Sequence, residues 1–593
     1  MKEKLQGILL DSLKKIGLDL PAEEIIIDIP KDISKGDYST NIAMRFASKA
    51  AKAPMDLAKE IVENLVDDSD IERVEFIAPG FINFYLSTSY LLKETEKIAK
   101  LSSEYFQFQI NKDNKLLLEY TDANPFKILH IGHLYTNAVG ESFARLQEAL
   151  GAQVKRATYQ GDVGLHVAKT LWGLEYKLNH EKKKFEDIEK LDLVGRVKYL
   201  GDAYIEGSQR YDNSENVEVK QEIDDINYYI FFITTPVLEK KNFDKFLKSN
   251  LREKYIKGRI WCLDYFETVY SRLGTKFDYY FFESEVGEYG LQLVLKNVGG
   301  IFKKDDGAII YEGNEEKGLH TRVFVNKYGL PTYEAKELGL AVKKEESVDY
   351  DKSIIITASE QSGYFKVVMD ALSKLDPVIA KKTEHVSHGT VKLPGNKKMS
   401  SRKGGIISAE WLLDETKKKV VGVMKTNKYP SSDLEEVAEK IAVGAVKYAF
   451  LKVGVGEDIV FDFDKAISFD GDTGPYIQYV YSRCNSLIEE YGDKDVKSLC
   501  LDACLSIGYT RDLSRAVSKY REVLLDSARM YSPSTLCQYL FDLSKTFNSF
   551  YQNVRLSDTS EDEIGVLLLI VRAVMNIIED GLNRLGIQVV ERM

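Results

Sequence analysis

KLLLEYTDANPFKILHIGHLYTNAVGESFARLQEALGAQVKRATYQ, residues 115–160, is the stretch that decides the fold. Its first seven residues form an apolar run of strand length, and AQVKRATY (152–159) forms a second one. Between them a turn leads into a segment with helical periodicity. A strand, a helix and a strand in direct succession are typical of a right-handed crossover between parallel strands. The stretch therefore predicts an α/β sheet of the nucleotide-binding kind.

The pattern continues on both sides of this stretch. Strand-like runs at GAIIYE, RVFVN and SIIITA alternate with helices up to about residue 410. The charged, helical segment at about 172–265 is predicted to be an insertion, and the helices that follow are predicted to form a bundle. At the other end, helices beside two alternating strands predict a small α+β module. The predicted divisions are 1–88 (α+β module), 89–114 (connector), 115–407 (α/β domain with the insertion), 408–465 (helical region) and 466–593 (helical bundle).

Composition narrows the class of protein. The chain has 593 residues, of which 44% are hydrophobic and 29% charged, with a net charge of −11. These values are ordinary for globular domains, and no run approaches the roughly 18 to 20 apolar residues that span a bilayer. We therefore expect no membrane partner and a cytoplasmic location. Cys500 and Cys504 lie one helical turn apart without a second pair, so we expect free thiols and no metal site.

The sequence HIGH, residues 130–133, lies at the predicted start of the helix that follows the first strand. The amide groups and dipole of a helix N-terminus favour a phosphate. Gly132 would let an adenine ring lie against the backbone. His130 and His133 can donate hydrogen bonds to charge that develops at an α-phosphorus. A pair of surface histidines is the alternative interpretation.

A second motif, KMSSRKG at 398–404, lies in a loop rich in glycine and lysine. A lysine in such a loop can neutralise a departing pyrophosphate. The alternative is a basic surface loop. Neither GxxxxGK[ST] nor GxGxxG occurs, which argues against a P-loop ATPase and a dinucleotide-dependent dehydrogenase.

Together the two motifs resemble the signatures of the class I aminoacyl-tRNA synthetases. The resemblance narrows to the arginyl-tRNA synthetases and covers nearly the whole chain. It is carried by GDYSTNIAM, APGFINFYLS, EYTDANPFKILHIGHL, YQGDVGLH, LPTYEAKELGLA, SEQSGYFK, KMSSRKG, GDTGPYIQYVYSR, FNSFYQN and LGIQVVERM, in that order.

The resemblance implies a Rossmann-like catalytic domain between an N-terminal α+β module and a C-terminal α-helical anticodon-binding bundle. It implies that ATP and L-arginine form an arginyl-adenylate, which is transferred to tRNA(Arg) by a monomer with Mg²⁺ on the phosphates. The catalytic residues that it implies are His130, His133, Lys127 and Lys398. The implied ATP-binding residues also include Gly132, Met399, Ser400 and Ser401.

The substrate arginine needs acceptors for its planar, permanently charged fork of donors. Tyr333 and Glu337 lie four residues apart and so face one way on a helix. They resemble the residues that hold the guanidinium in the family, although the usual acid is aspartate. Glu119, Asn124 and Gln361 resemble the residues around the amino-acid backbone. A second acid is Glu283, with Glu285 as an equal alternative.

Residues that resemble the tRNA-binding positions of the family lie at both ends of the chain. Tyr476, Tyr479 and Arg483 share one helix face, which would suit stacking on unpaired bases. The resemblance places Tyr551 and Met593 near them, and Phe81 and Asn83 at a D-loop base. Core packing is the alternative for the aromatic stripe.

Two other functions remain open from the sequence alone. A cysteinyl-tRNA synthetase has a similar helical tail, but it reads its substrate with a zinc site whose ligands this chain lacks. The other is an RNA-binding relative that has lost aminoacylation, which the intact HIGH, KMSSRKG and Asn124 disfavour.

Overall fold

A computed structural model describes residues 1–593 except 31, 214–216, 236–237, 239–242, 393, 395–406, 427–432 and 493–507. Its centre is a parallel sheet in the order β11-β10-β4-β5-β6. The five strands are β4 (Lys115–Glu119), β5 (Gln153–Gln160), β6 (Tyr279–Phe282), β10 (Lys352–Ala358) and β11 (Thr383–His388). The predicted crossover is confirmed, since β4 pairs in parallel with β5 across the intervening helix.

That helix, α5 (Ile131–Ala149), is buried on almost every side. It lies against the sheet at Gly140, where an added Cβ would come within 2.2 Å of the Tyr120 ring. Only a residue without a side chain permits this approach. The close packing fixes the position of the helix start, where His130 and His133 lie.

The predicted insertion is helical in the structure and lies between β5 and β6. Its helices are α6 (Leu165–His180), α7 (Phe185–Glu189), α8 (Leu193–Asp212), α9 (Val217–Thr234), α10 (Asp244–Lys248) and α11 (Leu251–Arg272). The rest of the catalytic half contains α12 (Glu283–Lys296), α13 (Tyr333–Ser347), α14 (Ser362–Leu375) and α15 (Pro377–Lys382).

Two of the strand-like runs lie outside the central sheet. GAIIYE and RVFVN form β8 (Ala308–Tyr311) and β9 (Arg322–Val325), which with β7 (Lys303–Asp305) make an antiparallel sheet of their own. Of the three runs, SIIITA alone enters the central sheet, as β10. Alternating strands separated by short loops pair with each other more readily than with a distant sheet.

The N-terminal module is α+β, as predicted. Its helices are α1 (Lys2–Lys15), α2 (Ile42–Phe46) and α3 (Pro54–Glu63), and its sheet has the order β1-β3-β2, from β1 (Tyr38–Thr40), β2 (Ile71–Ile77) and β3 (Phe81–Leu86). The predicted connector contains α4 (Thr88–Tyr105). The module contacts the C-terminal half through ion pairs such as Arg515–Asp37, at 2.6 Å.

Helices dominate after residue 408, as predicted. They are α16 (Ala409–Thr426), α17 (Leu434–Leu451), α18 (Phe463–Ala466), α19 (Gly474–Tyr491), α20 (Gly508–Ser518), α21 (Tyr520–Arg529), α22 (Pro533–Asn553) and α23 (Glu561–Arg584). A short parallel pair, β12 (Val391–Lys392) and β13 (Ile459–Val460), links this half to the catalytic domain. In the described part of the chain, no helix has the length and apolar character needed to cross a membrane.

Candidate active site

A cavity of about 610 Å³ opens at the carboxyl ends of β4, β5 and β10. Ligands of open α/β sheets bind at this edge. Nine of the predicted site residues line it, and larger cavities elsewhere contain none of them. The nine are Glu119, Asn124, His130, Gly132, His133, Glu283, Tyr333, Glu337 and Gln361. The structure therefore brings the first motif and the predicted arginine site together, while the role of each residue stays a prediction.

The two histidines are locked to the start of α5 by their own rings. Nδ1 of His130 accepts the N–H of Gly132 at 3.1 Å, and Nδ1 of His133 accepts the N–H of His130 at 3.1 Å. The rings stack with their centroids 3.8 Å apart. Because each Nδ1 is an acceptor, the proton of each neutral ring must sit on Nε2. Each ring therefore keeps one N–H free to donate.

Both rings are neutral near pH 7. Burial lowers the pKa of His130 to about 4, and the charge of Lys127 adds to this effect. Burial also lowers the pKa of His133 well below its ordinary value, helped by His130 and Lys127. The pair therefore offers hydrogen-bond donors, with no charge of its own, to an anion at the helix start.

Lys127 is not among the residues that line the cavity. Its Nζ lies 5.8 Å from the ring centroid of Tyr204. Burial is the main cause that lowers the pKa of His130, His133 and His166, and the positive charge of Lys127 is a further cause for all three. The positive field of Lys127 thus reaches the histidine pair, which is consistent with its predicted role.

Of the second motif, the structure describes only the residues that follow it, from Ile407 onward. Lys398, Met399, Ser400 and Ser401 lie outside the described residues. Beyond them, the Ile131 N–H donates to the Ile407 carbonyl at 3.2 Å, and the Ala409 N–H donates to the Leu129 carbonyl at 2.8 Å. The chain that leaves the second motif therefore runs beside the segment that enters α5.

Three carboxylates of the cavity are already neutralised by neighbouring cations. The pairs are Glu119 with Lys344 at 2.6 Å, Glu283 with Lys336, and Glu334 with Arg322 at 3.2 Å. Glu119 and Lys344 are each only 2% exposed at the side chain. The predicted contact of Glu119 with the amino group of the substrate would have to compete with this buried pair.

Two other carboxyls, Asp122 and Glu337, form no ion pair within the described residues. Burial raises the pKa of Glu337 to about 8, and the charge of Glu119 adds to the shift. Burial also raises the pKa of Asp122 well above its ordinary value, and the charge of Glu119 again adds to the shift. A cation that enters the cavity would stabilise the ionised form of both.

The structure distinguishes Glu283 from its alternative Glu285. Glu283 lines the cavity, and Glu285 is not among the lining residues. Glu283 is the first residue of α12 and lies directly after β6. Of the two acids, Glu283 is the one placed to approach a ligand.

Gly161 is a residue that the sequence pattern did not single out. A Cβ at this position would lie 2.2 Å from Oδ1 of Asn124 and 3.2 Å from the carboxyl carbon of Glu283. Replacement by alanine must therefore displace two residues that line the cavity. Its signals in the sequence are its place directly after β5 and its position within YQGDVGLH, one of the segments that carry the family resemblance.

We expect Gly161→Ala to raise the KM for L-arginine about 10- to 100-fold, the order of loss that a displacement of about 1 Å causes in a site. The KM for ATP should change less. Gly363→Ala is the control, because an added Cβ there meets nothing within 4 Å. Equal KM values for arginine in both variants would show that Asn124 and Glu283 do not hold this substrate.

The predicted stacking residues of the helical bundle form one connected cluster. Arg483 donates to the Tyr479 hydroxyl at 2.8 Å and to Asn548 at 2.9 Å. Asn548 in turn donates to the Tyr476 hydroxyl at 2.8 Å. The Arg483 guanidinium also lies 4.8 Å from the ring centroid of Tyr551. We call Tyr476, Tyr479, Arg483, Asn548 and Tyr551 the aromatic cluster.

Two of the predicted tRNA-binding residues, Met593 and Asn83, make contacts within the protein. Met593 packs beside the apolar cluster of α16 and α17. Asn83 is 2% exposed, and its side-chain oxygen accepts the Ser39 hydroxyl at 2.7 Å. Phe81 is 36% exposed and remains accessible. The position of Phe81 thus suits a base contact better than that of Asn83.

Comparison with known proteins gives consistent matches along the chain. Residues 3–86 match the model of the arginyl tRNA synthetase N-terminal domain, residues 96–463 the catalytic domain of tRNA synthetases class I (R), and residues 477–593 the DALR anticodon binding domain.

Full-length relatives show the same similarity. The arginine–tRNA ligase of Borrelia hermsii is 26% identical and covers 100% of this chain and 99% of its own. The corresponding ligase of Clostridium acetobutylicum is 28% identical, with 98% of both chains covered. The solved Thermus thermophilus arginyl-tRNA synthetase shares the fold, with a TM-score of 0.78, 22% identity and 100% of both chains covered.

Proposed function

The chain belongs to the class I tRNA synthetases for arginine, and from this premise we propose how its residues carry out the reaction. The enzyme joins L-arginine to tRNA(Arg) at the expense of ATP. The carboxylate of arginine attacks the α-phosphorus of ATP, pyrophosphate leaves, and a terminal ribose hydroxyl of the tRNA then takes the arginyl group while AMP departs. The observation that supports the proposal is that the histidine pair and the acids that we assign to arginine line one cavity.

The first step is served by His130 and His133. With Nδ1 of each ring engaged by the backbone, the Nε2–H groups are held as donors for the oxygens of the α-phosphate. They stabilise the charge that develops as the phosphorus becomes five-coordinate. Lys127, and Lys398 from the second motif, would offset the remaining phosphate charge. No side chain acts as a covalent nucleophile.

The substrate arginine is selected by charge and shape. We assign its guanidinium to Glu337 and Tyr333, one helical turn apart on α13. Tyr364 also lines the cavity, and its hydroxyl opposes part of the rise in the pKa of Glu337. Lysine, with a single ammonium, cannot use two oxygens of a carboxylate in the way a planar fork does.

The family also implies Mg²⁺. No group of three or more histidine, cysteine, aspartate or glutamate side chains is placed to hold a metal ion among the described residues. A resident metal site does not fit this part of the chain, so no step is assigned to a protein-bound ion. We propose Mg²⁺ as the counter-ion that accompanies the ATP phosphates.

ATP–pyrophosphate exchange in the presence of tRNA tests the function. We expect exchange with L-arginine and none with lysine, citrulline or cysteine. Exchange with cysteine would favour the cysteinyl alternative, whereas tRNA binding without any exchange would favour the non-catalytic relative. Either result would overturn the proposal.

We also propose that the aromatic cluster contacts the anticodon loop. Tyr551→Ala should raise the KM for tRNA about tenfold and leave kcat nearly unchanged, because stacking on one base contributes about 1–3 kcal/mol. Tyr328→Ala is the control, since Tyr328 is 52% exposed and lies outside the cluster. Equal tRNA KM values for the two variants would remove the cluster from the interface.

The family resemblance supports two further proposals, a monomer and a cytoplasmic location. Light scattering that gives a mass near 67.4 kDa is expected for the monomer. Twice that mass would contradict it. Fractionation of the source cells would test the location, and recovery with the membranes would overturn it.

A further inference from the structure

Three consecutive residues before the histidine pair each contact the helical insertion. The Lys127 Nζ lies 5.8 Å from the ring centroid of Tyr204 on α8. A Cβ added at Gly201, also on α8, would come within 2.9 Å of Cγ1 of Ile128. Phe126 is 1% exposed and makes hydrogen bonds to α6 and α11. The segment that enters the HIGH motif is therefore held from the side of the insertion.

Phe126 has a backbone conformation that a bulky residue rarely adopts. Its φ is +67°, in the left-handed region. Residues other than glycine keep such a conformation only where the surrounding structure enforces it, and they do so mainly at functional sites. The conformation sets the direction in which the chain leaves Phe126, and so the direction of the next side chain, Lys127. The Lys127 N–H closes this turn by donating to the Asn124 carbonyl at 3.2 Å.

The insertion contacts both the backbone and the ring of Phe126. The Phe126 N–H donates to Sγ of Cys262 at 3.3 Å, and the Phe126 carbonyl accepts the Thr170 hydroxyl at 3.1 Å. The ring stacks on that of Tyr255, with centroids 6.0 Å apart and planes at 11°. Gly258 leaves room for the ring, since a Cβ there would lie 2.6 Å from Cε1 of Phe126. Residues of α6 and α11 thus satisfy the buried backbone groups and fix the ring.

We propose that Gly258 and Cys262 are positioning residues for adenylate formation. By holding Phe126 in its left-handed conformation, they direct Lys127 toward the ATP phosphates. The inference rests on the proposed function, in which Lys127 offsets phosphate charge, and it gives the insertion a part in the first step of the reaction. A cation stabilises a developing charge only from the right place, and a displacement of about 1 Å can slow a reaction about 10²-fold.

Gly258→Ala tests the inference, because the added methyl group must displace the Phe126 ring. Alanine is favourable within a helix such as α11, so the helix itself should be kept. Single-turnover adenylate formation is measured with tRNA, ATP and L-arginine at saturating concentrations. We expect the rate to fall about 10- to 100-fold. Gly422→Ala in α16 is the matched control and should keep the wild-type rate, because its added methyl group meets nothing within 4 Å.

The same substitution in a Lys127→Met background separates positioning from packing. Methionine keeps an unbranched apolar side chain at this position but carries no charge. If Gly258 acts through Lys127, Gly258→Ala should slow the Lys127→Met enzyme by less than about threefold, because no cation remains to be misplaced. A loss of the same factor in both backgrounds would mean that Gly258 serves packing alone and would overturn the inference. A wild-type rate in the single Gly258→Ala variant would overturn it as well.

Cys262→Ala is the second variant, and it replaces Gly258→Ala if circular dichroism shows that the latter does not fold. It removes the acceptor of the Phe126 N–H and should slow adenylate formation about three- to tenfold, again only while Lys127 is present. Cys537→Ala is its control, because it removes an equally buried thiol from α22. An unchanged rate in Lys127→Met would overturn the inference, whereas failure of the wild-type enzyme to activate arginine would overturn the proposed function.

Discussion

Replacement of Glu337 by glutamine is expected to lower kcat/KM for L-arginine by about two to three orders of magnitude, because a buried charge partner of the guanidinium is lost. The loss should fall mainly on KM, since the length of the arginine side chain separates the guanidinium from the carboxylate that reacts. Steady-state pyrophosphate exchange measures it. Glu285→Gln is the control, because Glu285 is a neighbouring acid that does not line the cavity. Equal effects in the two variants would remove Glu337 from the arginine site.

The same carboxyl predicts a pH dependence of arginine binding. In the empty cavity burial raises the pKa of Glu337 to about 8, so at pH 7 the carboxyl is mostly protonated. The guanidinium binds the ionised form, and its entry must release this proton. The KM for arginine should therefore fall as the pH rises from 6.5 to about 8.5, and Glu337→Gln should reduce this dependence to the part that Asp122 contributes through its own raised pKa.

The stability of the ligand-free enzyme should show the opposite trend. The folded pKa of Glu337 lies above its ordinary value of 4.5, so between pH 4.5 and about 8 the native state binds more protons than the unfolded state. This contribution to stability is complete below pH 4.5 and is lost as the pH rises through about 8. In the absence of arginine at pH 8.5, the Tm of the Glu337→Gln variant should therefore be higher than that of the wild type. A less stable variant at that pH would contradict the raised pKa.

The sequence could predict those parts of the fold that depend on neighbouring residues. The crossover from β4 to β5 follows from two apolar runs around one helical segment, and Tyr333 and Glu337 share a face because four residues make one helical turn. The pairing of β8 with β9 could not be predicted, because an alternation of apolar and polar residues indicates a strand but not the strand with which it pairs. For the same reason GAIIYE and RVFVN were expected to continue the main pattern.

The ion pairs of the site could not be predicted from the sequence either. Lys344 and Lys336 read as ordinary surface positions of a charged helix, yet each is buried against a glutamate from another part of the chain. Asp122 carries no periodic signal, since it lies in a turn whose conformation depends on the surrounding strands. Nine of the predicted residues therefore line one cavity, but the ion pairs of its acids could be found only from the fold.

His133→Ala is expected to lower the rate of adenylate formation about 10²- to 10³-fold, the usual loss when one donor to a developing charge is removed. Dissociation constants for tRNA and arginine should change little, because the Nε2–H group contributes chiefly in the transition state. Single-turnover adenylate formation with tRNA present separates this step from binding. Unchanged turnover would show that the histidine pair is not the catalytic centre.

The alanine variant also removes a structural contact, since Nδ1 of His133 accepts the His130 N–H at 3.1 Å. His133→Asn separates the two roles. The Oδ1 of asparagine stands at the same number of bonds from Cα as Nδ1 of histidine, so it can keep this cap. Its Nδ2–H donor stands one bond nearer to Cα than Nε2 of histidine and so does not reach the same position. If the donor matters, the asparagine variant should be nearly as slow as the alanine variant while its thermal stability approaches that of the wild type. Recovery of the wild-type rate by asparagine would instead assign the whole effect to the helix cap, and the phosphate would then have to be stabilised by His130, Lys127 and the second motif.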